Sequence, residues 1–302
     1  MVVLHEVLHE LHRSKSRGLI LKIDFEKAYD RVRRDFLETV MQGKGFPQKW
    51  ISWVMATVKG GKVCINVNGE RSDYFRTFRG LRQGDPLSPL LFNLVADTLG
   101  VMLQSAIDKG HLTGVLNDLI PGGVSHIQYA DDAVIMIDAS VQSITTLKTI
   151  LYCFEWLTGL KINFHKSEVF VFGVCQEEKE RLANMLNCVL GTFPMRYLGI
   201  PISYKHLNMS VFRFLAQKML KRLDPWKGKS LNSRGRQILT NTCLSSIPIY
   251  CMGFYLLKDG THSERIASDP DSFGGELKKN SDIIWRNGIW LVDQKTKGVW
   301  VL

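Results

Sequence analysis

The string Tyr129-Ala130-Asp131-Asp132 constrains this chain more than any other stretch. Val124, Ile127 and Tyr129 lead into it, and Val134, Ile135, Met136 and Ile137 lead out of it. Short β-prone apolar runs on both sides of a tight polar break predict a hairpin with the aspartates at its tip. Standing alone, such a pair is also what an ordinary solvated turn contains, because aspartate is a common turn residue. Acidic side chains held at the end of a sheet are costly unless something positive sits there, and hard divalent cations such as Mg²⁺ prefer such oxygen ligands.

A third carboxylate lies far upstream. Leu19-Ile20-Leu21-Lys22-Ile23 reads as an apolar strand ending in Asp24, and Tyr29, Val32, Phe36 and Val40 then recur at helical steps of three and four. An aspartate closing a strand points out of the sheet edge; it also suits the N-cap of the helix that follows. If that strand pairs beside the hairpin, Asp24, Asp131 and Asp132 converge. Carboxylates in one cleft repel unless cations neutralise them. Two metal ions about 3.5–4 Å apart, bridged by such groups, are a standard device for in-line phosphoryl transfer.

These motifs resemble those of reverse transcriptases of LINE-type (non-LTR) retrotransposons, in a plant-like form. The strand ending in Asp24 with Tyr29 five positions on resembles the first catalytic motif, and Tyr129-Ala130-Asp131-Asp132 the metal-binding turn. Between them, Arg79-Gly80-Leu81-Arg82-Gln83-Gly84-Asp85-Pro86-Leu87-Ser88-Pro89 is similar to the family's second motif. Gly159-Leu160-Lys161-Ile162-Asn163-Phe164-His165-Lys166-Ser167 resembles the next, and Arg196-Tyr197-Leu198-Gly199-Ile200-Pro201 the segment leading to the primer grip. Trp226-Lys227-Gly228-Lys229 and Ser245-Ser246-Ile247-Pro248-Ile249-Tyr250 are similar to the thumb. The matches follow family order.

The resemblance implies an α+β polymerase palm, an antiparallel sheet backed by helices, with partial fingers and a helical thumb. It implies RNA-directed DNA synthesis with two Mg²⁺ ions, for which Mn²⁺ can substitute, on an RNA template, a DNA primer and dNTPs. Asp24 and Asp131 would ligate both ions, with Asp132 a partial or outer ligand and the Phe25 carbonyl an additional one. Tyr29 would block a ribose 2′-hydroxyl, with small Ala28 beside it. Arg82, Gln83 and Gly84 would meet template and nucleotide, and Lys161 or Lys166 would supply a cation near the pyrophosphate. Glycines at 80 and 84 let a backbone approach a ligand closely. Ser88 with Pro89 reads as an N-cap followed by proline at the first helical position.

Charge supports a polyanionic partner: the formal net charge is +10, and nine basic residues against one acidic one fall between Lys205 and Arg236. Among them Lys218, Lys221, Arg222, Lys227, Lys229, Arg234 and Arg236 would track a nucleic-acid backbone, interleaved with Phe212, Leu215 and Trp226. A solvated charged face has the same composition. His5-Glu6-Val7-Leu8-His9 matches the zinc-peptidase pattern H-E-x-x-H, but Val3, Leu4, Val7, Leu8 and Leu11 form an ordinary apolar stripe and no third ligand follows at recognisable spacing.

The 302 residues, 45% of them hydrophobic, suffice for one large domain or two modest ones. No run of about 18 apolar residues suggests a membrane span. Six scattered cysteines without a C-x-x-C pair read as buried reduced thiols. The expected location is intracellular, nuclear or cytoplasmic within a ribonucleoprotein, and not secreted. The expected domains are an N-terminal helix over 1–18 left from the fingers, a palm over 19–205, a basic thumb over 206–257 and a divergent, poorly ordered tail over 258–302. Because only 23 residues precede Asp24, the finger strands that hold the triphosphate are expected to be largely missing. A catalytically inactive remnant that only binds nucleic acid therefore stands as the second reading.

Overall fold

Leu19, Ile20, Leu21 and Ile23 are all buried, although they alternate between the two faces of one strand. A strand apolar on both faces needs cover on both, and that need organises the chain. The computed structural model describes residues 1–222, Arg234, Ile238, 246–255 and the backbone of three strands between 281 and 301. The chain divides after Tyr204 into two compact units.

The first unit begins with helix α1 (Val2–Ser14) and strand β1 (Gly18–Ile23). Next come β2 (Phe25–Glu26), α2 (Ala28–Arg31), α3 (Arg34–Gly43) and α4 (Gln48–Lys59). A ribbon follows, made of β3 (Lys62–Val63), β4 (Asn66–Val67), β5 (Glu70–Arg71) and β6 (Phe75–Arg76). Helix α5 (Ser88–Asp108) leads to β7 (His126–Tyr129), β8 (Asp132–Ile137) and α6 (Val141–Thr158). Then come β9 (Lys161–Ile162), β10 (Glu168–Phe172), α7 (Gln176–Leu186) and β11 (Val189–Leu190). A hairpin of β12 (Met195–Tyr197) and β13 (Ile200–Ile202) closes the unit.

Five strands form the central sheet in the order β11-β10-β1-β8-β7. All neighbours are antiparallel except β10 and β11. Leu19, Leu21, Ile135, Ile137 and Val169 face a core built from α3 to α7. Ile20, Val134, Met136 and Phe170 face Leu4, Val7, Leu8 and Leu11 of α1 and the β12–β13 hairpin. Each such side chain stabilises the fold by about 1.5–3 kcal/mol on burial. This is an α+β fold with an antiparallel sheet backed by helices. Helix α1, expected as a leftover of the fingers, covers the second face of the sheet; Val3, assigned to its stripe, points to solvent.

Helix α6 is capped at both ends: Ser143 N–H donates to the Ser140 hydroxyl at 3.1 Å, and Gly159 ends the helix at φ 79°. The helix expected after Asp24 does not form as one piece. Val32 and Arg33 are extended and separate α2 from α3, because Gly80 N–H takes the Val32 carbonyl and Arg33 N–H donates to Thr158. Ser88 is not an N-cap either. Leu87 caps α5, and Ser88, buried in the first turn, donates its hydroxyl to the Asp85 carboxylate at 3.0 Å. By length and hydropathy α5 alone among the described helices could cross a membrane, which corrects the expectation of no such segment. Here its Leu91, Phe92, Val95, Leu99 and Leu103 are packed into the core.

The second unit holds a 3-10 turn (Met209–Phe212), helix α8 (Arg213–Arg222) and a helix over Ser246–Met252. Phe212 meets Tyr255 edge-on at 5.4 Å. Farther on, β14 (Ser281–Arg286), β15 (Ile289–Gln294) and β16 (Val299–Val301) pair as an antiparallel meander. The cysteines are not uniformly buried. Cys188 and Cys251 are buried, but Cys153 and Cys175 are exposed and Cys64 is half-buried; all five are free thiols. Burial pushes the Cys188 thiol up to about 11.

Candidate active site

The hairpin forms as its residues demand. Tyr129 pairs with Asp132, so Ala130 and Asp131 make a two-residue turn, and Ala130 takes a left-handed φ of 52°. Strand β8 lies against β1 with Ala133 opposite Ile23. One further step of that register sets Asp132 across from Asp24. The Asp132 carboxyl is held above the usual carboxylate range, first by burial, then by Asp131, with Asp24 adding and Lys22 opposing. All three carboxylates therefore act within one electrostatic patch. Asp24 and Asp131 are exposed, while Asp132 is half-buried. Among the described residues, no three His, Cys, Asp or Glu side chains close into a ready metal cage. The H-E-x-x-H histidines form none either.

The backbone of Asp24 is fixed from one side. Its N–H donates to the Ser167 hydroxyl at 3.1 Å, and its carbonyl accepts from Asn163 N–H at 2.8 Å. Ser167 is fully buried and donates in turn to the Asn163 carbonyl at 2.9 Å. Strand β9 pairs Ile162 with Phe25. Because Asn163 N–H donates to the Asp24 carbonyl and antiparallel positions alternate in hydrogen bonding, the Phe25 carbonyl, one residue on, turns away from β9. The Phe25 ring is buried and meets Phe154 at 6.0 Å. Asp24 caps no helix; Lys27 precedes α2.

Tyr29 stacks on Phe92 of α5 at 4.8 Å, and its hydroxyl pKa is raised by burial and then by Asp131. Tyr29 is thus both a packed residue and a neighbour of the acidic patch. Ala28 beside it is buried. The second motif docks onto this same element: Leu81 N–H donates to the Tyr29 carbonyl at 2.8 Å. Arg34, buried, donates to the carbonyls of Gly80 (3.0 Å) and Thr77 (2.6 Å) and to the Thr77 hydroxyl (2.8 Å). Burial and the nearby Arg82 lower its pKa. Gly80 serves the chain rather than a ligand, because a Cβ there would lie 2.6 Å from the Asp30 carbonyl oxygen. Gly84, at φ 87°, faces open space with Gln83 and Arg82 exposed around it.

Lys161 approaches Glu26 at 4.0 Å, and Arg31 donates to the same carboxylate at 2.8 Å. The Lys166 side chain is exposed. Tyr197, buried in the β12–β13 hairpin, donates its hydroxyl to the Asp132 carbonyl at 3.5 Å. Sequence reasoning named no role for Ser167, Asn163, Arg34 or Tyr197. The first two and Tyr197 lie inside motifs already noticed; Arg34 carries no local signal. In the second unit, Lys218, Lys221 and Arg234 are exposed while Phe212 and Leu215 are buried. Lys227, Lys229, Arg236 and the Arg222 side chain lie outside the described residues.

A strand-borne aspartate thus meets a two-aspartate hairpin, with an aromatic ring and a docked glycine-containing loop beside it. Residues 2–202 match the family model described as reverse transcriptase (RNA-dependent DNA polymerase), and the chain belongs to that family. Members of it use divalent metal ions. The chain is similar to the Pol polyprotein of the type-2 retrotransposable element R2DM of Drosophila melanogaster, with 30% identity over 229 residues, 75% of this chain and 18% of that protein. It is also 32% identical over 149 residues to an R2 Pol polyprotein of Popillia japonica, covering 49% of this chain and 20% of the relative. The chain thus spans about a fifth of the length of these two relatives. Telomerase from Candida tropicalis, solved with a fragment of telomeric RNA, aligns over 83% of this chain and 41% of its own at 12% identity and a TM-score of 0.49.

Proposed function

We propose that this chain carries the palm of an RNA-directed DNA polymerase of non-LTR retrotransposon type, extending a primer 3′-hydroxyl with dNTPs on an RNA template. The observation that supports it most is the meeting of Asp24, Asp131 and Asp132 at one sheet edge beside Tyr29. The donor set fits two Mg²⁺ ions, or Mn²⁺: oxygen ligands only, with the two exposed carboxylates of Asp24 and Asp131 free to rotate about χ. Asp24 and Asp131 would hold both ions, the Phe25 carbonyl would add a ligand, and Asp132 would stay an outer neighbour. Bound there, the ions would lower the pKa of the primer hydroxyl and neutralise the triphosphate.

The chain's own residues do the rest. Tyr29 stands against the 2′-hydroxyl of an incoming ribose, with small Ala28 beside it. Arg82, Gln83 and Gly84 present an exposed turn to template and incoming nucleotide. Lys161 and Lys166 offer cations for the leaving pyrophosphate. Residues 206–257 act as a thumb, with Lys218, Lys221, Arg222, Lys227, Lys229, Arg234 and Arg236 along a duplex backbone.

The test is primer extension by the purified chain on an RNA template, with Mg²⁺. Extension that stops in EDTA and returns with added Mg²⁺ is expected. RNA binding without extension in Mg²⁺ or Mn²⁺ would instead favour a chain that only binds nucleic acid.

Ser167 is a positioning residue in this reading. Outer partners of metal ligands are worth about 10–100-fold in affinity or activity. Ser167→Ala is expected to lower extension by about that factor and to raise the Mg²⁺ concentration giving half-maximal rate, with Ser167→Thr restoring both. A fall in melting temperature at unchanged Mg²⁺ dependence would leave Ser167 only a structural part.

A further inference from the structure

Sequence motifs left the segment between α4 and the Arg79 loop without a role, yet its ribbon has an arrangement that calls for a ligand. Asn68 and Gly69 turn the chain at φ 52° and 92°, as a type I′ hairpin turn requires. Near the tip Asn66 pairs with Arg71 and Val67 with Glu70; at the base Lys62 pairs with Arg76 and Val63 with Phe75. The two registers differ by one residue, so a bulge lies on the 72–74 side.

Directly opposite residues share a face. Val63 and Phe75 lie on one side, while Lys62, Arg76, Asn66 and Arg71 lie on the other. Every strand residue of the ribbon is exposed. Lys62 stands directly across from Arg76, and like charges so placed destabilise a ribbon. Among the described residues, neither of them nor Arg71 joins an ion pair. Tyr74, two residues before Arg76, is 64% exposed, and Phe78 just beyond is 96% exposed. A two-stranded ribbon without cover is marginal in water. Unpaired cations interleaved with bare aromatic rings are the composition that grips single-stranded nucleic acid, by phosphate contact and base stacking.

We propose that the Lys62–Arg71–Arg76 face of this ribbon, with Tyr74, is a binding site for single-stranded RNA. The phosphates relieve the Lys62–Arg76 repulsion, and a base stacks on Tyr74. The inference rests on the polymerase reading only for the choice of RNA as the strand.

The experiment is fluorescence anisotropy of the full chain with a short labelled single-stranded RNA in EDTA, across a salt series. Each phosphate contact to a single strand contributes about 0.7 to the slope of log K against log salt. The triple variant Lys62→Gln, Arg71→Gln, Arg76→Gln is expected to lower that slope by about 2. Tyr74→Ala is expected to weaken binding by about fivefold to a hundredfold at fixed salt. Should the triple variant lose its circular dichroism spectrum, the single variant Arg76→Gln, which removes the opposed charge, must still lower the slope by about 0.7. Unchanged affinity and slope in folded variants overturn the proposal, as does equal loss of binding to duplex RNA. A chain that shows the charge-dependent binding yet never extends a primer therefore sinks the polymerase reading and keeps this one.

Discussion

Asp131→Asn is expected to lower primer extension by at least about a thousandfold, while the protein melts no lower than the native chain. Losing a metal ligand forfeits several kcal/mol of transition-state charge stabilisation, and each 1.36 kcal/mol is a factor of ten in rate. The fold does not depend on this side chain, which is exposed at the hairpin tip. Its charge opposes folding, because Asp131 helps hold the Asp132 carboxyl above its ordinary range. The sign follows from linkage. A carboxyl whose folded pKa is raised gives its full stability below the ordinary value, and stability falls as pH rises through the folded value. At neutral pH the native chain carries that penalty, and the variant carries less of it. The variant should therefore melt slightly higher at pH 7, with the gain shrinking as pH falls and Asp132 takes up its proton. Added Mg²⁺ should raise the native melting temperature and leave the variant's unchanged. A variant that keeps full extension would remove Asp131 from the metal site.

Phe154→Ala produces the opposite pattern. Phe154 is fully buried on α6 and supports the Phe25 ring. Truncating a buried phenylalanine costs about 3–5 kcal/mol, through lost transfer energy and the cavity left behind. For a unit of this size that lowers the melting midpoint by roughly 6–20 °C. Below that midpoint the carboxylates remain, so extension persists, weakened by slack under β2. A melting point unchanged by Phe154→Ala would show that α6 does not brace this part of the sheet.

The comparison between sequence and structure turns on where hydrogen bonds go. The spacing of Ile144, Leu147, Leu151 and Phe154, with Ser140 in front, makes α6 legible in the sequence, because its N-terminal cap and apolar stripe are local signals. The alternation around Asp131 gave the hairpin for the same reason. The helix after Asp24 was misread since Val32 and Arg33 give their backbone groups to Gly80 and Thr158, residues 48 and 125 positions away. Gly80 seemed shaped for a ligand, but its missing Cβ makes room for Asp30. Arg34 was invisible: an arginine in a helix reads as solvated until the loop it clamps folds over it. The ribbon at 62–76 was overlooked because both of its faces are exposed and a bulge breaks its period, although Asn68-Gly69 is a strong turn signal.

Strand β1 is gripped by β8 on one flank and β10 on the other, with cover above and below, whereas β7 closes the sheet as its outermost member. Thermal opening therefore reaches the acids unequally: residues 19–23 exchange their amide hydrogens only with the whole unit, while 126–131 can fray alone. Asp24 therefore sits on the part of the sheet expected to open last, and Asp131 beside the part expected to open first.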